Sequence, residues 1–380
     1  MGPLAGMKVI EMAGIGPGPM CAMLLADLGA TVLRVDRVTP VNLGRPRPLR
    51  YNLLLRNRPV IGLDLKKPAA VQLVLRLAKE GDAMIEGFRP GVMERLGLGP
   101  DECLKANPGL VYGRMTGWGQ NGPLSTAAGH DINYIALTGA LDAIGRRGGP
   151  PTPPLNLVGD YGGGALYLAF GIMCALFERR SSGKGQVVDA AITDGVASLM
   201  ASIYGLHAAG LMSARGTNAT DTGSHFYNTY QCADGKWISV AALEPKFYEE
   251  LMRRLNLSAE DIGGDQWDQE NWENAEARFA SLFHTKTRAE WSDLLEGTDA
   301  CFAPVLSMTE APDHPHLKET GTFIEVDGIV QPGPAPRFSR SVPSHPTPPA
   351  AVDPATTEDA LSGWLPADDI ASARAEGAFE

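Results

Sequence analysis

The sequence predicts an α/β protein: a large domain built on an open, mainly parallel sheet, with a smaller α+β domain after it. Three observations carry this prediction. Apolar runs of strand length alternate with runs of helical period from about residue 7 to about residue 208. The first strand is followed by a glycine turn and a helix, a βαβ opening of Rossmann-like form. Near residue 225 the pattern changes to two strands joined through Asp234-Gly235, a hairpin signal. A chain of 380 residues is long enough for two domains, each with its own core. The expected partition is 1–190 for the large domain, 191–224 for a linker helix and loop, and 225–310 for the small domain. Residues 311–380 form a returning segment and C-terminal arm that complete the large domain.

Taken in order, residues 7–13 read as a buried strand, Gly14-Ile15-Gly16-Pro17-Gly18-Pro19 as a tight turn, 20–28 as a helix and 31–36 as a second strand. Gly14, Gly16 and Gly18 after a strand, with Asp36 beyond them, invite a dinucleotide-binding reading. The third glycine comes one position early, and Pro17 and Pro19 remove amide donors that a pyrophosphate needs. A turn that only packs a helix on a sheet is the favoured reading. Arg37 opens a basic loop containing Arg45, Arg47 and Arg50, and Arg56-Asn57-Arg58 leads into a strand at 60–63 and Asp64-Leu65-Lys66-Lys67. A helix over 69–79 and a strand over 83–86 end in Gly87-Phe88-Arg89, with Arg95 a turn further on. Open α/β sheets bind ligands at strand ends, and arginine forks suit phosphate oxygens. Residues 110–115 form another strand, 165–177 a helix, 186–189 a strand and 190–208 a long helix. Beyond the hairpin, Pro245 starts a helix over 246–255. Residues 344–357 read as an extended Pro/Ala/Ser arm, and 359–378 as a last helical piece.

Composition narrows the function. Hydrophobic residues make up 44% and charged residues 20%, which suits a globular enzyme and not a disordered chain. A net charge of -11 argues against nucleic-acid or anionic-membrane partners, so an anionic ligand would need local cations. Cys21, Cys103, Cys174, Cys232 and Cys301 are scattered and odd in number, which points to a reducing compartment without disulfides or a metal site. The sequence shows no uninterrupted apolar stretch of about eighteen residues and no targeting segment, so a cytoplasmic protein is expected.

Two glycine-flanked segments carry candidate chemistry. Gly129-His130-Asp131-Ile132-Asn133-Tyr134 holds the first histidine of the chain, and about thirty residues later Gly159-Asp160-Tyr161-Gly162-Gly163-Gly164 sets a carboxylate before a hydrophobic helix. Histidine titrates near neutrality and works in both directions, whereas a carboxylate needs a site that makes it basic. Such a pair suits proton transfer on two faces of a carbon next to a carbonyl. Free glycine amides at a helix start would hold the developing enolate oxygen, although the same helix end favours ionised Asp160 and so opposes its basicity. Each residue also has a structural reading, His130 as a cap and Asp160 as a helix cap.

The runs Leu4-Ala5-Gly6-Met7-Lys8-Val9-Ile10-Glu11, Ala26-Asp27-Leu28-Gly29-Ala30 with Arg34-Val35-Asp36-Arg37, and Gly183-Lys184-Gly185-Gln186-Val187-Val188-Asp189 resemble the family III CoA transferases. The segments Gly129 to Tyr134 and Pro154-Leu155-Asn156-Leu157-Val158-Gly159-Asp160 resemble its racemase branch, the α-methylacyl-CoA racemases. The resemblance runs nearly the whole chain, including Ala335-Pro336-Arg337-Phe338-Ser339. It implies an isomerase that interconverts (2R)- and (2S)-2-methylacyl-CoA thioesters through an enolate, with His130 and Asp160 as the acid/base residues. It further implies that Glu244 orients the histidine, and that Arg37, Leu63, Asp64, Leu65, Lys66, Gly87, Phe88, Arg89 and Arg95 hold the CoA. Gly129, Asp131, Ile132, Asn133, Tyr134, Gly159, Tyr161, Gly162, Gly163 and Gly164 would surround the thioester, with Met200 and Met212 as candidates for the acyl surface. No cofactor beyond the CoA of the substrate is implied, and the expected assembly is an interlocked homodimer in which Glu244 acts within or across the chains. The alternative is a family III transferase in which Asp160 is a nucleophile that moves CoA between carboxylic acids. Such transferases have no histidine at the position of His130.

Overall fold

A computed structural model describes residues 1–39 and 46–379 of the chain, which divide into two compact units. Arg45 lies outside the described residues. The first unit takes 1–138, 155–199 and the chain from 321 on; the second takes Gly139–Pro154 and Met200–Thr320. The segment 139–154, which falls within the span expected for the large domain, thus belongs to the second unit, as do residues 311–320.

In the first unit β1 (Lys8–Met12), α1 (Pro17–Asp27), β2 (Thr31–Asp36), β3 (Val60–Gly62), α2 (Pro68–Glu80), β4 (Ala83–Glu86), the short α3 (Val92–Arg95), α4 (Pro100–Ala106), β5 (Val111–Thr116) and α5 (Asp131–Leu137) follow one another. After the one-turn α6 (Ala140–Ala143) in the second unit, the first resumes with a π-helix over Leu157–Leu166, α7 (Tyr167–Ser182), β6 (Val187–Ala191) and α8 (Ile192–Leu199). The six strands pair in parallel in the order β3-β2-β1-β4-β5-β6. That order reverses direction between β1 and β4, the switch point at whose strand ends ligands bind in open α/β sheets. Val9, Ile10, Ala83, Met84, Val111 and Tyr112 are completely buried, as parallel strands covered on both faces must be. Helix α2 buries Ala70, Leu73, Val74, Leu77 and Ala78 on one face, and Pro68 at its first turn sacrifices no bonded amide.

Two local departures from the sequence reading matter for the site. Asp160 does not sit in a loop before a helix: it lies in the first turn of the π-helix, which runs into α7. The single helix expected over 190–208 is two, α8 and α9 (Ala201–Ala208), parted at Met200. Helix α8 packs closely on the π-helix, since a β-carbon on Gly163 would lie 2.6 Å from the Val196 side chain. The helical stretch Leu157–Ser182 is long and apolar enough to cross a membrane by length and composition alone, and 33% of its most apolar window is buried.

The second unit is α+β. Strands β7 (Tyr227–Gln231) and β8 (Trp237–Ala241) form the expected hairpin, and β9 (Phe302–Val305), inside the span expected for the small domain but not expected as a strand, adds antiparallel to β8. Helices α10 (Pro245–Leu255), α11 (Ala259–Ile262), α12 (Trp272–Phe283) and α13 (Arg288–Leu295) supply its core with Leu251, Phe279, Phe283 and Trp291, against Tyr230 and Ile238 of the sheet. Past α14 (Pro315–Glu319) the chain rejoins the first unit through the hairpin β10 (Phe323–Val326) and β11 (Ile329–Pro332). The arm that follows is irregular and pinned: the Asn57 N–H donates to the Thr347 carbonyl at 3.1 Å, and the Thr347 N–H to Asn57 Oδ1 at 2.8 Å. Pro366 divides the last helical piece into α15 (Thr357–Ser362) and α16 (Ala367–Ala375).

Candidate active site

A cavity of about 820 Å³ opens at the carboxyl ends of β1 to β4, on the β1/β4 switch point. Arg37, Leu63, Asp64, Leu65, Lys66 and Phe88, six of the residues named for CoA, line it. Its floor is apolar, from Met12, Val35, Val92 and Leu96, and Arg37, Lys66 and Lys67 supply cations around it. An apolar body with cations near it suits a ligand that carries both a flat ring and phosphates. Asp64 shapes the rim, since its Oδ1 accepts the Lys66 N–H at 3.1 Å. Lys67, of the cationic run read at the strand ends, also lines the cavity, as do Val352, Ala378 and Phe379, which only the fold brings there from the C-terminal part of the chain. Gly87, Arg89 and Arg95 are exposed and stand outside the lining, and the Arg89 charge instead acts on Tyr134.

Asp36, which follows the glycine turn at the end of β2, is held by its neighbours. Asp36 Oδ2 accepts both the Arg34 Nε and Nη2 hydrogens, at 3.1 and 3.0 Å, and its Oδ1 accepts the Arg37 N–H at 2.7 Å. The carboxylate is therefore already committed. Buried Glu11 of β1 pairs with Arg34 at 2.7 Å and with Arg58 at 3.3 Å, and Arg58 in turn donates to the Pro19 carbonyl at 3.0 Å. This network holds the turn in place. Ala13, at its start, faces the cavity, whereas a β-carbon on Gly16 would lie 3.1 Å from Asp160 Oδ2. One short turn thus runs from the cavity to the Asp160 carboxylate.

His130 caps α5, and its N–H donates to Asn133 Oδ1 at 3.0 Å while its ring remains exposed. Ile132 and Asn133 are also exposed, but Tyr134 is buried, its ring 4.7 Å from that of Trp118 and its hydroxyl donating to the Gly129 carbonyl at 2.5 Å. Asp131 departs from expectation: its side chain turns inward, and Oδ2 accepts the Asp160 N–H at 2.6 Å. Gly159 is required by this contact, since a β-carbon there would lie 2.3 Å from the same oxygen. Gly163 and Gly164 are buried against α8 and Pro17 and serve packing, whereas Tyr161 and Gly162 are half-buried.

Burial, and after it the Asp131 charge, push Asp160 from 3.8 up to about 6, against a hydrogen bond from the Asn156 side chain and the charge of His130. Histidine and carboxylate therefore share one electrostatic site, and the carboxylate has the basicity that proton abstraction near neutral pH requires. Asn156, Gly16 and the tuning by Asp131 are features that sequence reading missed. Glu244 lies in the second unit as the exposed N-cap residue of α10, where its charge adds to burial in raising the Cys301 thiol; Met200 and Met212 also belong to that unit, both half-buried. Among the described residues no group of three or more His, Cys, Asp or Glu side chains is placed to hold a metal ion.

Comparison with known proteins agrees with this architecture. Residues 4–360 match the model of CoA-transferase family III. The chain is 44% identical over 346 residues to the mouse protein named alpha-methylacyl-CoA racemase, covering 90% of this chain and 88% of that one. It is 44% identical over 337 residues to the human protein of the same name, covering 88% and 86%. A crystal structure of a CAIB/BAIF family protein from Brucella suis superposes with a TM-score of 0.79 over 94% of this chain and 99% of that chain, and at 24% identity it speaks for the fold alone. By sequence along almost its whole length and by fold, the chain belongs to CoA-transferase family III.

Proposed function

We propose that the chain is a racemase that interconverts (2R)- and (2S)-2-methylacyl-CoA thioesters by 1,1-proton transfer. The observation that carries the reading is the juxtaposition of His130 with an Asp160 whose carboxyl is raised to about 6, in a chain 44% identical to proteins named as racemases of this class. Ionised Asp160 takes the α-proton; the electrons of the broken C–H bond move onto the thioester oxygen as an enolate. Protonated His130 returns a proton to the other face of the carbon, and the reverse reaction exchanges the roles. The CoA lies in the cavity at the strand ends, with Arg37, Lys66 and Lys67 for phosphates and Phe88 and Leu63 in its wall. Arg89, near Tyr134, stands on the thioester side. The reaction moves only protons, so it needs no cofactor beyond the CoA of the substrate.

We further propose a cytoplasmic homodimer in which Glu244 orients His130. Leu166, Phe170, Met173 and Phe177 of the π-helix and α7 are exposed at 53%, 68%, 37% and 74%, and their spacing follows the a/d pattern of a helix seam. A second copy of the chain is the occupant that the family resemblance implies for this stripe.

The test is solvent exchange. Purified protein with a 2-methylacyl-CoA in deuterium oxide, and no carboxylate acceptor, is expected to incorporate deuterium at the α-carbon while losing optical purity. Label that appears only with an acceptor acid would move the function to CoA transfer through Asp160 as nucleophile, and no label under either condition would remove both.

A further inference from the structure

Asp131 takes no part in the proton transfer described above, yet its environment is unusual for a carboxylate. It is 7% exposed, and among the described ion pairs none gives it a cationic partner. Oδ2 accepts the Asp160 N–H at 2.6 Å, the Gly159 N–H also faces the carboxylate, and buried Oδ1 has no hydrogen-bond partner. Burial pushes the Asp131 carboxyl up, against two backbone donors that favour the ionised form, and one face of the group stays uncompensated. The donor side of that arrangement is the first turn of the π-helix, whose N–H groups a carboxylate naturally caps. Capping alone is served equally by a neutral oxygen. The charge has a different consequence: it opposes ionisation of the next carboxylate along, Asp160.

We propose that Asp131 is a positioning residue whose buried negative charge adds to burial in making Asp160 basic enough to take the α-proton, while its Oδ2 clamps the Asp160 backbone. This rests on the racemase reading for its use, but not for its physics. It resolves the conflict at a helix start, where the free amides would otherwise favour the ionised and weakly basic carboxylate. The other groups around Asp160 do not supply the effect. His130, at the N-cap of α5, and the Asn156 side chain both lower its proton affinity. Tyr134 of α5 is itself raised by burial and then by the Asp160 charge, against Arg89. On α1, Asp27 is bound to Arg56, and buried Cys21 faces Glu11 and Arg58. Asp194 of α8 acts on Asp189 of β6. Among the described residues that act on Asp160, Asp131 alone adds negative charge.

The test reads Asp160 directly. The full chain is labelled with ¹³Cγ-aspartate, the Asp160 resonance is assigned by its loss in Asp160→Asn, and its titration is followed in the wild-type chain and in Asp131→Asn, whose amide oxygen still accepts the Asp160 N–H. The expected result is a midpoint lower by about one pH unit or more, a roughly tenfold weaker hold on the proton. In Asp131→Glu, which keeps the charge, the midpoint is expected to stay high. A midpoint in Asp131→Asn within about 0.2 of the wild-type value, on the same scale, overturns the proposal and leaves Asp131 as a cap. If Asp131→Asn does not fold, Asp131→Ser supplies the neutral variant and is read in the same way. The acid limb of deuterium exchange is expected to follow the same shift. A wild-type chain that exchanges no deuterium removes the racemase reading while the titration still decides the role of Asp131. An exchanging chain with an unmoved midpoint removes only the latter.

Discussion

Replacing Asp160 by asparagine is expected to make the protein more stable as it makes it inactive. The folded chain holds the Asp160 proton at about 6, and the ordinary value is 3.8. An aspartate held above its unfolded value carries a cost that is present in full above pH 6, shrinks as pH falls through that value, and is gone below 3.8. At about 1.4 kcal/mol per tenfold change in proton affinity, the gap amounts to ~3 kcal/mol. Asp160 is only partly buried, so solvent screening reduces this to about 1–2 kcal/mol. Asparagine has nearly the same shape and no charge, so Asp160→Asn recovers that cost at pH 7.5 and roughly half of it at pH 5. The measurement is urea unfolding of both proteins at the two pH values, compared as a difference so that every other titrating group cancels. Catalytic sites commonly hold such strain at the expense of stability. An Asp160→Asn protein no more stable than the wild type at pH 7.5, or one whose advantage does not change with pH, would refute the claim that Asp160 is held basic by its surroundings.

The other predictions concern the remaining parts of the site. His130→Ala is expected to lower the epimerisation rate by about 10³-fold while the dissociation constant of a CoA thioester changes less than about threefold, checked by polarimetry and calorimetry. Arg37→Glu, in the cavity wall, is expected to raise KM about tenfold with kcat nearly unchanged, and the effect is expected to weaken in high salt. Gly159→Ala forces a methyl group against Asp131 Oδ2; a stability loss of about 1–3 kcal/mol by denaturant titration and a fall in kcat are expected together. Exchanging both Phe170 and Phe177 for glutamate is expected to convert a dimer to monomers in sedimentation, with retained far-ultraviolet circular dichroism.

How far the sequence carries can be seen residue by residue. Strands and helices of the first unit follow from apolar period, because β1, β4 and β5 are buried on both faces and α2 on one. The β7–β8 hairpin follows from Asp234-Gly235, where the glycine takes the positive φ that the turn needs. His130 and Asp160 were legible as titratable groups in glycine settings, and Arg37 and Lys66 as cations at strand ends. β9 was not legible, since Phe302 to Val305 is a short, half-exposed strand that contains a proline. Nor was the break between α8 and α9, where the apolar pattern continues through Met200.

The sequence by itself therefore determined the order of the elements, the two kinds of domain and the chemical groups available to the site. Only the tertiary structure decided how those groups are used. It placed β1 beside β4, so that the turn at Gly16 runs from the cavity to Asp160. It committed Asp36 to Arg34, and it turned Asp131 inward onto the Asp160 amide. The reason is physical: period and turn chemistry act between near neighbours along the chain. The basicity of a carboxylate depends on burial and on charges a few ångströms away, which residues 29 positions apart acquire only when packing brings them together.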